Sequence, residues 1–268
     1  MPVIIDGTNG VNTPNTFAFK NRLINAQLLI NQRGVSGTVT LSAGAYGHDR
    51  FKAGASGCTY TFATTNNVTT LTITAGSLQQ VIEGLNLESG TYTLSWTGTV
   101  QGKIGAGSYG ASGITGSITG GTNTTIEFNT GTLSLPQLEV GSTATSFDYR
   151  PYGTELALCQ RYFYQATGAS GNGYEGFATG TADASTSADV IAQLPVTMRA
   201  IPTTSFAGTI YVYDGGTTPT LSSVANVFGG KTGVYLNLTT SSGLTVGRAV
   251  IVYTNNATTN NFAFSAEL

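Results

Sequence analysis

Residues Pro136–Phe163 read PQLEVGSTATSFDYRPYGTELALCQRYF, the densest run of specific side chains in a chain of 268 residues. Leu138 and Val140 alternate as in a strand, and Gly141–Ser142–Thr143 then offers a turn. Phe147, Tyr149, Arg150, Pro151 and Tyr152 follow as an aromatic–Arg–Pro knot. A helical turn comes next, in which Thr154 can cap the orphan amides and Glu155 sets a negative charge at the positive end of the dipole. Leu156, Cys159 and Phe163 recur at helical spacing as one apolar stripe. A strand, a stiff knot and a short helix between two β-rich halves predict a junction. The expected plan is an N-terminal arm over 1–20, a β domain over 21–150, a connector over 151–163 and a second β domain over 164–268. Tyr149, Arg150, Tyr152, Leu156 and Phe163 are the expected junction and oligomer-contact residues.

Upstream of the junction, Asp6–Gly7, Asn9–Gly10 and Pro14 are turn signals, which makes 1–20 an arm rather than a domain. Leu23–Ile30 is an apolar run short enough for a buried strand, with a helical turn left open by its periodicity. Clean alternation appears further on. Leu71 and Ile73 oppose threonines, Tyr92, Leu94 and Trp96 share one face, and Ile126 with Phe128 and Leu133 with Leu135 repeat the pattern. Several such strands separated by Gly-rich turns argue for a sandwich, in an all-β chain. Gly102–Gly121 lacks a three-residue glycine period and lacks proline, which excludes collagen and leaves a long hairpin or loop.

Downstream, Gln165–Ala188 is a polar Gly/Ser/Thr/Ala stretch. Strand candidates follow at Ile191–Met198, Thr209–Asp214, Val234–Leu238, Ala249–Tyr253 and Asn261–Leu268. In the last, Phe262, Phe264, Ala266 and Leu268 share a face, as a core strand would require. Asp214–Gly215–Gly216 marks a turn after Tyr211 and Tyr213.

Composition narrows the function. Charged residues are 9 % of the chain against about 25 % in ordinary soluble domains. With 40 % apolar residues, thirteen Tyr and twelve Phe, a folded β protein fits better than disorder. A net charge of −2 with no basic run gives no footprint for nucleic acid. No stretch of about 18 apolar residues spans a membrane, and no secretory signal is evident. Cys58 and Cys159 fall in different expected domains and read as two buried thiols, in keeping with a reducing cytoplasm. His48, beside Asp49 and Arg50, is the lone histidine, and nothing nominates partners for a catalytic array. Glu83 with Glu88, and Asp183 with Asp189, lack the context of a glycosidase pair. ANVFGGKT at Ala225–Thr232 imitates a phosphate loop but reads as a hairpin turn. No metal or cofactor motif is present. Trp96 reads as core. The site with physical footing is a sugar site, because aromatic faces hold sugar C–H groups while nearby polar groups take hydroxyls. Tyr211, Tyr213 and Asp214 are the preferred cluster, with Tyr174 and Phe177 second. The competing reading makes Tyr211 and Tyr213 the outer face of a strand or a subunit contact.

The junction QLEVGSTATSFDYRPYGTELALCQRYF resembles the domain-joining segment of tail-fibre and receptor-binding proteins of tailed bacteriophages. Asn21–Gly34 (NRLINAQLLINQRG), Gly44–Ala53 (GAYGHDRFKA) and Phe264–Leu268 (FSAEL) are further likenesses to that family. The resemblance implies a virion protein that is not an enzyme, with a first jelly-roll domain similar to carbohydrate-binding modules. It also implies a second β domain. Sandwich modules of that sort often hold a structural calcium through scattered ligands. The expectation is therefore a homotrimeric tail fibre, assembled in the bacterial cytoplasm. Its arm would dock on other virion proteins, and its surface would meet host glycans. A capsid or head fibre, a decoration protein and a glycan-degrading tailspike are the alternatives.

Overall fold

The computed structural model describes residues 4–6, 10–12, 19–169, 171 and 173–268, with side chains from residue 19 onward. Most of the chain is antiparallel strand, and it divides into two compact units, Met1–Leu156 and Ala157–Leu268.

In the first unit, β1 (Ile4–Asp6) pairs with β2 (Gly10–Asn12). The rest of the expected attachment arm before Phe19 lies outside the described residues. The larger sheet is built from β3 (Val39–Leu41), β4 (Lys52–Thr65), β5 (Val68–Ile82), β6 (Gly90–Gly98), β7 (Gly102–Ile104), β8 (Ile114–Ile118), β9 (Thr124–Phe128) and β10 (Gly131–Val140). Its order is β3–β4–β5–β10–β6–β8, with β9 on β5 and β7 on β9. Strand β5 pairs with β4 along one edge and shares its other edge between two strands: Leu71 to Ile73 lie against β10, whereas Leu78 to Ile82 lie against β9. Gly76 lies between these two stretches, where β5 passes close to β4. Its φ is +70°, and a Cβ there would stand 2.0 Å from the carbonyl oxygen of Gly57. Leu71, Ile73, Tyr92, Leu94, Trp96, Ile126, Phe128 and Leu133 lie in the core, as the alternation predicted, together with Leu78.

Two expectations in this unit need correction, and one open alternative is decided. The run Leu23–Ile30 buries its apolar side chains yet forms neither strand nor helix. Asn25 and Leu28 adopt positive φ. The Asn25 amide donates to the carbonyls of Ile30 (2.8 Å) and Asp49 (3.0 Å), and its Oδ1 accepts from the Ile30 N–H (2.9 Å). One buried side chain thus replaces the ladder bonds a strand would have made. The alternation of β10 breaks at a bulge between Ser134 and Gln137, leaving Leu135 half-buried at positive φ and Val140 exposed. Of the long hairpin or loop expected over Gly102–Gly121, the loop is found: β7 goes to β9 and β8 to β6, and Gly102 and Gly110 form one antiparallel bridge.

The division between the units falls inside helix α1 (Tyr152–Gln160). The helix starts two residues before Thr154, with the Pro151 carbonyl accepting from the Glu155 N–H (3.0 Å), so Thr154 is inside the first turn rather than its cap. Glu155, Cys159 and, beyond the helix, Tyr162 are its buried positions. Leu156 is half-buried, and Phe163 already belongs to a strand. Among the described residues no helix is long and apolar enough to cross a membrane.

The second unit contains β11 (Phe163–Thr167), β12 (Gly176–Ala184), β13 (Ser187–Gln193), β14 (Thr203–Ala207), β15 (Ile210–Tyr213), β16 (Leu221–Gly229), β17 (Gly233–Thr240), β18 (Ala249–Thr254) and β19 (Asn261–Ser265). One sheet runs β11–β19–β14 and the other β15–β18–β12–β13–β17–β16. Phe262 and Phe264 of β19 share one core with Val190, Val212, Val234, Leu236, Val250 and Val252 of the larger sheet. The C-terminal strand is therefore central, as its aromatics predicted. The ANVFGGKT stretch is the β16–β17 hairpin, closed by the Gly230 N–H on the Gly233 carbonyl (2.9 Å).

Candidate functional site: tyrosines on the outer face of the larger sheet

Strand β15 buries Ile210 and Val212, so Tyr211 and Tyr213 must point outward. Strand β18 buries Val250 and Val252, which sends Ile251 and Tyr253 the same way. Register then decides the contacts: Tyr211 lies opposite Tyr253, and Tyr213 opposite Ile251. The Tyr211 and Tyr253 rings stand 5.5 Å apart, centre to centre. Tyr174 comes from the other side. The Glu175 N–H donates to Thr254 Oγ1 (3.1 Å), and the Thr254 N–H donates to the Glu175 carbonyl (3.0 Å). That pair of bonds holds Tyr174 edge-on to Tyr253, with centroids 5.8 Å apart at 81°. Burial, followed by the neighbouring phenols of Tyr211, Tyr174 and Tyr213, pushes the Tyr253 hydroxyl above its ordinary pKa. It therefore stays a neutral donor and acceptor through the physiological range.

The fold brings together two groups that sequence kept apart, Tyr211 with Tyr213 and Tyr174. The residue that joins them, Tyr253, was not singled out. Its outward position could be read from the Val250–Val252 alternation, but its partners depend on pairing strands some 40 residues apart.

Two proposed sugar contacts take other roles. Asp214 turns into its own loop: Oδ1 accepts from the N–H groups of Gly216 (2.9 Å) and Thr217 (2.7 Å), and Oδ2 from that of Thr245 (2.9 Å). Those bonds, Thr217 first, hold its carboxyl far below the usual carboxylate range. It pins the loop behind Tyr213, and its acceptor sites are largely used within that loop. Phe177 packs against Phe262 (4.6 Å) and Phe264 (6.4 Å), on the core side of the sheet.

The junction residues divide likewise. Arg150 is buried and bonds within its own unit, to the carbonyls of Leu23 (3.1 Å) and Asn21 and to Glu155 (3.2 Å), with Asp148 at 3.8 Å. Its charge is used inside the chain and is not offered to a neighbour. Phe163 is buried in β11, whereas Tyr149 and Tyr152 are exposed.

His48 is buried, with Nδ1 3.0 Å from the Tyr60 hydroxyl. Cys58 and Cys159 are buried and in no disulfide. Trp96 is core and donates its indole N–H to the Val100 carbonyl (3.2 Å). In the first unit, Lys103 (2.8 Å) and Ser77 (2.5 Å) bond Glu127. Burial raises the Glu127 pKa, but the bonds from Lys103, Ser77, Gln79 and Tyr109 outweigh it, so the network is closed on itself. Among the described residues no group of three or more His, Cys, Asp and Glu could hold a metal ion. Compared with the models of known protein families, with curated proteins and with solved structures, the chain has no match.

Proposed function

We propose that this chain is a structural fibre protein of a bacteriophage virion, without enzymatic activity, that recognises host-surface glycans through Tyr174, Tyr211, Tyr213 and Tyr253. The observation that carries the reading is the gathering of four tyrosines from three strands or their approaches on one outer face. Rings fixed by strand register expose faces and hydroxyls without ordering cost on binding, which suits a sugar's mix of C–H and O–H groups. The sequence likeness of the junction to phage tail fibres supports the same reading, as does a surface poor in charge.

The finer architecture follows from it. Each unit is a β-sandwich, the first of jelly-roll kind, and α1 with its flanking residues is the connector. The assembled form is a homotrimer, in which exposed Tyr149 and Tyr152 meet neighbouring copies and the N-terminal arm docks on other virion proteins. Mass measurement of the purified chain should give three copies, and a clean monomer at micromolar concentration counts against the trimer. For recognition, Tyr253→Ala and Tyr211→Ala should each weaken adsorption to host cells at least tenfold, with unchanged circular dichroism. Adsorption equal to wild type in both variants would remove the tyrosine site.

A further inference from the structure

The tyrosine cluster is one end of a longer feature. Following cross-strand partners through the larger sheet gives Tyr213 opposite Ile251, Ile251 opposite Thr179, Thr179 opposite Ile191, Ile191 opposite Tyr235, and Tyr235 opposite Phe228. This single row crosses all six strands, and register places it on the face away from the core. Its members are open to solvent where a soluble protein ordinarily avoids apolar groups: Phe228 is 73 % exposed, Ile251 50 %, Ile191 49 % and Tyr213 39 %. None carries a charge.

At the far end of the row Phe228 and Tyr235, with ring centres 5.9 Å apart, line an open, shallow depression of about 340 Å³. Gly229, Gly230 and Gly233 line it without side chains, and Gln193 and Thr232 add an amide and a hydroxyl at its rim. Asp189 accepts from the Asn237 amide (2.8 Å) and pushes the neighbouring Tyr235 hydroxyl above its ordinary pKa.

Size decides what can cover the row. Six strands at about 4.8 Å spacing make it about 24 Å long, and one row of side chains is about 7 Å wide. That is on the order of 200 Å², against about 800 Å² per partner for a stable protein interface. On its own the row falls short of what a second copy or another folded domain needs, and its width fits an extended polymer one ring wide. Asp183 and Asp189 act on Tyr235, and exposed Lys231 stands between Gly230 and Thr232 of the depression, so groups of both signs flank an uncharged row and neither favours a strongly charged polymer.

We infer that one extended, uncharged glycan lies across the strands from the tyrosine cluster to the Phe228–Tyr235 depression. This rests on the glycan reading above and adds the length, direction and charge of the ligand. An extended hexose chain repeats at roughly the strand spacing of about 5 Å, so about five rings cover the row.

Isothermal titration of the full chain with linear oligosaccharides of one to six rings provides the test. The panel comprises gluco- and N-acetylglucosamine oligomers, uncharged host O-antigen fragments and acidic oligomannuronates. For the best uncharged series, Kd should fall at least tenfold from two rings to five or six, and the acidic series should bind more weakly at every length. Phe228→Ala and Ile191→Thr, both at exposed positions, should each weaken binding of the six-ring oligomer at least fivefold. If affinity stops rising at one or two rings, or both variants bind the six-ring oligomer as wild type does, the extended site is wrong while the tyrosine site stands. If nothing in the panel binds, the glycan reading falls with it. If the two variants instead convert an oligomeric wild type to monomer, the row is a subunit contact and the inference is overturned.

Discussion

His48 shows how one side chain can carry a measurable pH dependence without taking part in chemistry. It is buried, bonded to the Tyr60 hydroxyl and edge-on to Phe62 at 4.6 Å. Burial lowers its pKa from 6.5 to about 4. The folded state therefore refuses a proton that the unfolded chain accepts, so stability is complete above pH 6.5 and falls as pH drops from 6.5 toward 4. The loss should be about 2–3 kcal/mol at pH 4. It is the chain's one histidine, so its ring-proton NMR signal needs no assignment. A midpoint near 4 is expected, and one between 6 and 7 would contradict the burial argument. Urea midpoints between pH 6.5 and 4 should lose part of their slope in His48→Phe. Sequence placed His48 outside catalysis, but nothing in GAYGHDRFKA says its ring faces Tyr60, a strand away.

At the scale of elements, what was legible depended on side-chain size. Strands with branched or aromatic residues at every second position, such as β5, β6, β9 and β19, declare their inner face. Strand β12 does not: GFATGTADA buries the small Ala178 and Ala182, and the bulge between Gly176 and Ala178 turns Phe177 to the core as well, so no hydrophobic period of two appears. Yet it lies near the middle of the larger sheet, and Gly180 is tied to that place, since a Cβ there would stand 1.9 Å from the Asp189 carbonyl oxygen. The row from Tyr213 to Phe228 was hidden for a related reason. Each member could be read as outward on its own strand, but only the register aligns them. Gly76 tests the long β4–β5 hairpin. Gly76→Ala meets both a positive φ and the Gly57 carbonyl, and should cost about 2–4 kcal/mol. Gly44→Ala has a similar φ of +74° but open space, so its cost should be only about 1–2 kcal/mol. Equal losses in urea unfolding would mean that the close approach to Gly57 carries no weight.

The whole molecule holds two cores, and each is complete in itself. The first gathers Leu23, Phe51, Tyr60, Tyr92, Trp96 and Phe128, and the second gathers Val190, Val212, Leu236, Phe262 and Phe264, with no residue in common. Cooperative unfolding comes from a shared core, so two separate cores should melt as two transitions rather than one. Emptying one core should then leave the other in place. Phe128→Ala and Phe262→Ala each remove a fully buried ring, at about 3–5 kcal/mol. For units of this size, that should lower the midpoint of the affected transition by roughly 10 °C or more. Scanning calorimetry of the full chain should show Phe128→Ala moving one peak and Phe262→Ala the other. Trp96 lies edge-on to Phe128 at 5.4 Å and is the chain's one tryptophan, so its fluorescence should follow the first peak alone. A single transition that both substitutions move equally would mean that the two cores are energetically one.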